Sequence, residues 1–269
     1  MLQAAIIYIL TGCAAGYLAG LFGVGGGIII VPVLAFLFKS TGVAQDVLMP
    51  LAIGTSMSVV SVTSLLSARA HYANGNVDWK SAGQLLPAVL IGVVAGSILG
   101  SHAPKNMLSG LVITFEVGVS LMYLTQVMRN HQEHALVDRQ WPRSRLLFIS
   151  ALLGSVSSVV GIAGGTLFVP FLNFCGINLR KSIGTATALG APLGLLAAIV
   201  YMLMGAMGHK HLPTYSFGFI YFPAFLGCVF GGIWTTKQGA KLGMKLDIRI
   251  LKFAFALILL TAAGKMLFI

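Results

Sequence analysis

Residues 16–34 read GYLAGLFGVGGGIIIVPVL, and residues 154–172 read GSVSSVVGIAGGTLFVPFL. Aligned without gaps, Gly16 matches Gly154, Gly23 matches Gly161, and Gly26-Gly27 match Gly164-Gly165. Val31-Pro32 matches Val169-Pro170. Ile53-Gly54-Thr55 recurs downstream as Ile183-Gly184-Thr185, and Pro87…Gly96 as Pro223…Gly232. Markers repeated in one order define an internal duplication, which sets the architecture before any single element is considered.

Composition says where that duplication lives. The chain is 57% hydrophobic and 9% charged, whereas a water-soluble domain carries about a quarter charged residues. Apolar runs such as 107–126 and 250–268 have the ~20 residues that a helix needs to cross ~30 Å of hydrocarbon. The chain is therefore read as an all-α polytopic membrane protein. The net charge of +11 does not point to nucleic acid, because the basic residues stand singly or in short groups between apolar segments, where they orient helices. Cys13, Cys175 and Cys228 lie apart within apolar stretches and form neither a disulfide framework nor a metal site.

Helices are expected near 2–22, 24–38, 47–68, 81–101 and 106–127, then near 145–160, 164–175, 182–206, 215–236 and 248–268. Residues 1–128 and 146–269 form the two repeats, joined by a polar linker over 129–145. The second segment of each repeat, at about 12–15 residues, is too short for a comfortable crossing. If each glycine-interrupted pair were one broken crossing, the halves would be parallel and the cations would divide evenly between the two sides. If each pair is a hairpin that enters and returns, or crosses twice, the halves are inverted. Thirteen of the 17 Lys and Arg then gather on one side, leaving Lys39, Lys105, Lys210 and Lys265 on the other. The positive-inside rule selects the second plan: two inverted repeats, each a glycine-rich helical hairpin plus three transmembrane helices. The linker is then cytoplasmic and both termini outside.

The glycine turns carry the chemistry. A backbone freed from helical hydrogen bonding survives in a bilayer only where protein packs on it or water reaches it. The amides of Gly25, Gly26 and Gly27 would be the open N-terminal donors of a helix, at the positive end of its dipole. The second copy offers Ala163, Gly164, Gly165 and the Thr166 hydroxyl. Two such termini converging at mid-membrane make an anion site without formal charge. Thr55 and Ser56, with Thr185 in the second half, follow the turns and could donate to an oxyanion. The plainer reading of the glycines is close helix packing, and that of the hydroxyls is bonding to their own helix. Glu116 is the acid inside an apolar segment, a candidate for coupling a proton to the anion. The histidines fall at segment ends or in loops. No metal site and no cofactor is expected.

These residues resemble the sulfite exporter TauE/SafE family of membrane permeases. The resemblance spans nearly the whole chain. It rests on the glycine motif at Gly23–Pro32, its copy at Gly161–Pro170, Gly54-Thr55-Ser56, and Gly75-Asn76-Val77-Asp78-Trp79. The second copy departs from the pattern at Ala163. The resemblance implies a secondary transporter that moves small sulfur-containing anions, such as sulfite or organosulfonates, across the bacterial inner membrane. Members export or import, so direction does not carry over. A carrier for another small organic anion, or a membrane scaffold without transport, is the alternative. The absence of HExxH, GxSxG and paired intramembrane aspartates argues against an enzyme. The expected partners are a small anionic solute and the lipid bilayer, with the oligomeric state open and a homodimer allowed.

Overall fold

The computed structural model describes residues 2–23, 25–128, 142–162, 164–208, 212–243 and 248–266. The chain forms α1 (Leu2–Phe22), α2 (Gly27–Ser40), α3 (Gln45–Tyr72), α4 (Trp79–His102) and α5 (Lys105–Met128). It continues as α6 (Arg143–Val160), α7 (Gly165–Phe174), α8 (Leu179–Gly208), α9 (Phe222–Gly243) and α10 (Ile248–Met266). Among the described residues, α1, α3, α4, α5, α6 and α8 are long and apolar enough to span a membrane. At 14 and 10 residues, α2 and α7 are too short. The protein is thus an all-helical, multi-pass membrane protein. Of the expected linker, residues 129–141 lie outside the described residues.

One expected helix starts elsewhere. The segment expected over 215–236 opens instead with a small antiparallel pair, β1 (Ser216–Phe217) and β2 (Ile220–Tyr221), and α9 begins only at Phe222. The reason is local. Tyr215 and Gly218 adopt positive φ, 68° and 53°, which no right-handed helix accommodates. The aromatic residues around them suit extended backbone.

Close approach of backbones sets the helix pairs. Along α1, Gly12, Gly16 and Gly20 face α9 so tightly that a Cβ on Gly12 would lie 2.1 Å from Cys228 O. Along α4, Gly92 and Gly96 face α6, and a Cβ on Gly92 would meet Ala151 O at 1.8 Å. Lipid is as apolar as leucine, so van der Waals contact between small residues is what holds such helices together. At the centre, α3 and α8 run antiparallel. Gly54 packs on Tyr201, Gly194 on Met57 and Ser61, and Gly184 on His71. In addition, α5 packs on α10, α2 on α3, and α7 on α8.

Candidate functional site at the glycine turns

The first turn breaks the chain between α1 and α2. Gly23, Gly25 and Gly26 have φ of 71°, 68° and 81°, left-handed values that glycine adopts without strain. Val24 lies outside the described residues. Gly26 is the N-cap of α2 and supplies no side-chain cap, so the first amides of α2 have no acceptor in their own helix. Thr63 Oγ1 donates to Gly25 O at 2.7 Å and anchors the turn to α3.

The second turn differs in where the backbone reverses. Gly161, the C-cap of α6, carries the positive φ of 80°. Gly164, the N-cap of α7, has φ −52°, an ordinary right-handed value. Gly164 therefore needs no unusual backbone angle; Gly161 makes the left-handed step in this turn. Ala163 lies outside the described residues. Ser157 Oγ donates to Ile162 O and closes this turn on α6.

The two turns meet. A Cβ on Gly27 would lie 2.5 Å from Gly161 O and 3.0 Å from Ile162 Cα. Ser56 Oγ donates to the same Gly161 carbonyl at 3.0 Å. Each turn also rests on the other half's Ile-Gly-Thr: Gly23 packs on Ile183 and Gly161 on Ile53. The N-terminus of α2 therefore lies against the end of α6, three residues before the N-cap of α7.

Gly25, Gly26, Gly27, Gly164, Gly165, Thr55, Ser56, Thr166 and Thr185 are all buried. Their hydroxyls are not equivalent. Thr55 Oγ1 donates to Leu51 O at 2.7 Å and accepts from Tyr221 N at 2.9 Å. Thr185 Oγ1 donates to Lys181 O at 2.7 Å and accepts from Asp78 N at 2.9 Å. Ser56 spends its proton on Gly161. Thr166, in the first turn of α7, is fully buried, and its Oγ1 has no partner among the described residues. Of these four hydroxyls it is the one left without a partner among the described residues.

Glu116 is fully buried in α5, and neither carboxylate oxygen has a hydrogen-bond partner among the described residues. One turn on, Ser120 Oγ donates to Ala256 O of α10 at 2.9 Å. No hydrogen bond joins Glu116 to the turns among the described residues. The sequence reading missed Thr63, Ser67 and His71. A signal existed: Ser56, Thr63 and Ser67 follow a helical spacing of seven and four. They bond in turn to Gly161 O, Gly25 O and Ala19 O. Among the described residues, no three His, Cys, Asp or Glu side chains come together to hold a metal.

Six spans among the described residues, small-residue helix seams and two touching helix breaks define a multi-pass membrane protein. Comparison with known proteins makes the class specific. The chain belongs to the family described as Sulfite exporter TauE/SafE, whose profile matches residues 8–266. It is similar to a "Probable membrane transporter protein" of Haemophilus influenzae, 33% identical over 97% of each chain. A "Probable membrane transporter protein MJ0441" of Methanocaldococcus jannaschii is 24% identical over 94% of this chain and 91% of that one. "Probable membrane transporter protein YunE" of Bacillus subtilis is 26% identical, covering 98% and 97%. No solved structure matches.

Proposed function

We propose that the protein is a secondary carrier for small sulfur-containing anions, sulfite or an organosulfonate, in the inner membrane. The anion sits where α2 and α7 begin. The amides of Gly25–Gly27 and Gly164–Gly165 supply the positive ends of two helix dipoles, and Thr166 adds a hydroxyl. The observation that carries this reading is the contact between the turns, with an unsatisfied buried hydroxyl beside them. A buried polar atom without a protein partner is costly, so a ligand that accepts from this hydroxyl recovers that cost. The family's description as a sulfite exporter points to the same chemistry. Thr55, Ser56 and Thr185 shape the site by holding its walls.

The two repeats are inverted in this reading. The antiparallel course of α3 and α8, which carry the two Ile-Gly-Thr copies, supports it. So does the reciprocal packing of each turn on the other half. The linker is cytoplasmic and both termini are outside, as the distribution of Lys and Arg favours. Glu116 takes up the coupling proton. The test is flux: purified protein in liposomes should accumulate sulfite or a C2 sulfonate down an imposed gradient. Flux of a different organic anion alone would move the substrate class. No flux of any anion would leave a scaffold.

A further inference from the structure

Two hydrogen-bonded clasps of the same construction sit near opposite ends of the α3–α8 pair. In the first, the loop after α3 folds onto the start of α8. Asn76 N donates to His71 O at 3.0 Å, and Asp78 N donates to Thr185 Oγ1 at 2.9 Å. A Cβ on Gly184 would lie 2.0 Å from Asn76 O. The His71 imidazole reaches across to α1, with Nε2 3.4 Å from Gly20 O. In the second, the segment after α8 folds back onto α3. Phe219 N donates to Tyr201 O at 3.3 Å, and Tyr221 N donates to Thr55 Oγ1 at 2.9 Å. A Cβ on Gly54 would lie 2.3 Å from Phe219 O. The Tyr201 hydroxyl reaches across to α6 and donates to Ser158 O at 3.2 Å.

The correspondence is complete, bond for bond. Gly54 and Thr55 play for α3 the part that Gly184 and Thr185 play for α8. His71 and Tyr201 each tie their helix to the helix that precedes a glycine turn. Seventeen residues separate Gly54 from His71, and Gly184 from Tyr201, so at 1.5 Å per residue the clasps stand about 25 Å apart. That approaches the ~30 Å of a hydrocarbon core. Gly23 packs on Ile183 beside the first clasp and Gly161 on Ile53 beside the second, so the glycine turns reach from one clasp to the other. Packing alone does not call for a threonine hydroxyl that accepts a loop amide at both ends.

We propose that these clasps are paired latches that close the two faces of the carrier, with Thr185 and His71 positioning residues of one and Thr55 and Tyr201 of the other. This rests on the carrier reading. Each threonine accepts the amide that pins a loop over the helix pair, so losing one acceptor frees one face and leaves the other shut. Transport then requires the latches to open in alternation, which places Thr55 and Thr185 at the gates rather than against the anion.

Side-specific labelling tests it. In protein lacking Cys13, Cys175 and Cys228, a reporter cysteine is placed at Ser67→Cys, one turn inside His71, or at Ala197→Cys, one turn inside Tyr201. Ser67 and Ala197 are fully buried. Thr185→Val should raise labelling of the first reporter by an impermeant maleimide about tenfold, the weight of one hydrogen bond of ~1.4 kcal/mol, from one membrane face only. Thr55→Val should do the same for the second reporter from the opposite face. Thr185→Ser and Thr55→Ser keep the hydroxyl and should label as the parent does, which separates latch loss from misfolding. Labelling from the same face in both valine variants, or no change in either folded variant, would overturn the latches. Sulfite flux measured on the parent keeps the two readings apart. Opposite-faced labelling without flux defeats the carrier alone, and flux with unchanged labelling defeats the latches alone.

Discussion

Replacing Thr166 by valine should make the protein more stable and worse at binding. Valine has nearly the same shape and keeps χ1 restricted, so the buried position in α7 stays filled. What disappears is a hydroxyl with no partner among the described residues. An unsatisfied buried polar group costs about 1–3 kcal/mol, and part of that should return to the ligand-free protein. In the proposed complex the buried hydroxyl donates to the anion. Losing a hydrogen bond to a charged group costs about 1.5–3 kcal/mol, which lowers affinity roughly 10- to 150-fold. The comparator is Thr63→Val. It removes a hydroxyl already bonded to Gly25 O and should lower stability, because a carbonyl in the turn is stranded. Thermal unfolding in detergent and sulfite titration calorimetry on both variants read the two effects separately. A Thr166→Val protein that is less stable than the parent, or that binds sulfite equally well, would refute the reasoning.

The remaining expectations are shorter. Gly26→Ala forces a Cβ to 2.5 Å from Ala15 O at φ 81° and adds a left-handed strain of about 1–2 kcal/mol. Gly164→Ala, at a right-handed φ, escapes the backbone strain and meets a side chain, Phe168 Cδ2 at 2.5 Å, rather than a backbone carbonyl, so thermal unfolding should show the smaller loss for Gly164→Ala. Glu116→Gln should preserve expression while removing the dependence of sulfite flux on an imposed pH gradient; an unchanged dependence would give Glu116 a purely structural role. A cysteine at Gln132 should resist an impermeant maleimide in intact cells, whereas one at Leu2 should react. The Asp78 carboxyl caps α4. Burial pushes its pKa up, but bonds from Ser81 and Lys80 and the nearby Lys181 outweigh this and hold it below the usual 3.8. A depressed carboxylate stabilises above its unfolded value and is lost as pH falls through the lower one. The hydrogen-exchange protection factor of the 76–78 loop should thus stay flat at neutral and mildly acidic pH and fall only below 3.8.

Much of this molecule was legible along the chain. Glycine runs break helices wherever they occur, and an apolar length either reaches across a bilayer or does not. Both are local properties of the backbone and of transfer from water. Hence GVGGG before Ile28 and GIAGG before Thr166 placed the two breaks, and repeated markers such as Ile53-Gly54-Thr55 and Ile183-Gly184-Thr185 showed the duplication. The short strands at Ser216–Tyr221 escaped because two positive-φ residues outweighed an apolar run that reads equally well as helix.

Partnership was not legible. Thr55, Ser56, Thr166 and Thr185 look alike as buried hydroxyls beside glycine turns. Only the folded chain commits three of them, to Tyr221, Gly161 and Asp78, and leaves Thr166 open. Likewise, only the fold assigned the second reversal to Gly161 and set Gly27 against it. A hydrogen bond is worth something only at about 3 Å and in line. Which groups reach that distance depends on how distant helices cross, and small residues such as Gly92 and Gly12 set that crossing by letting backbones touch.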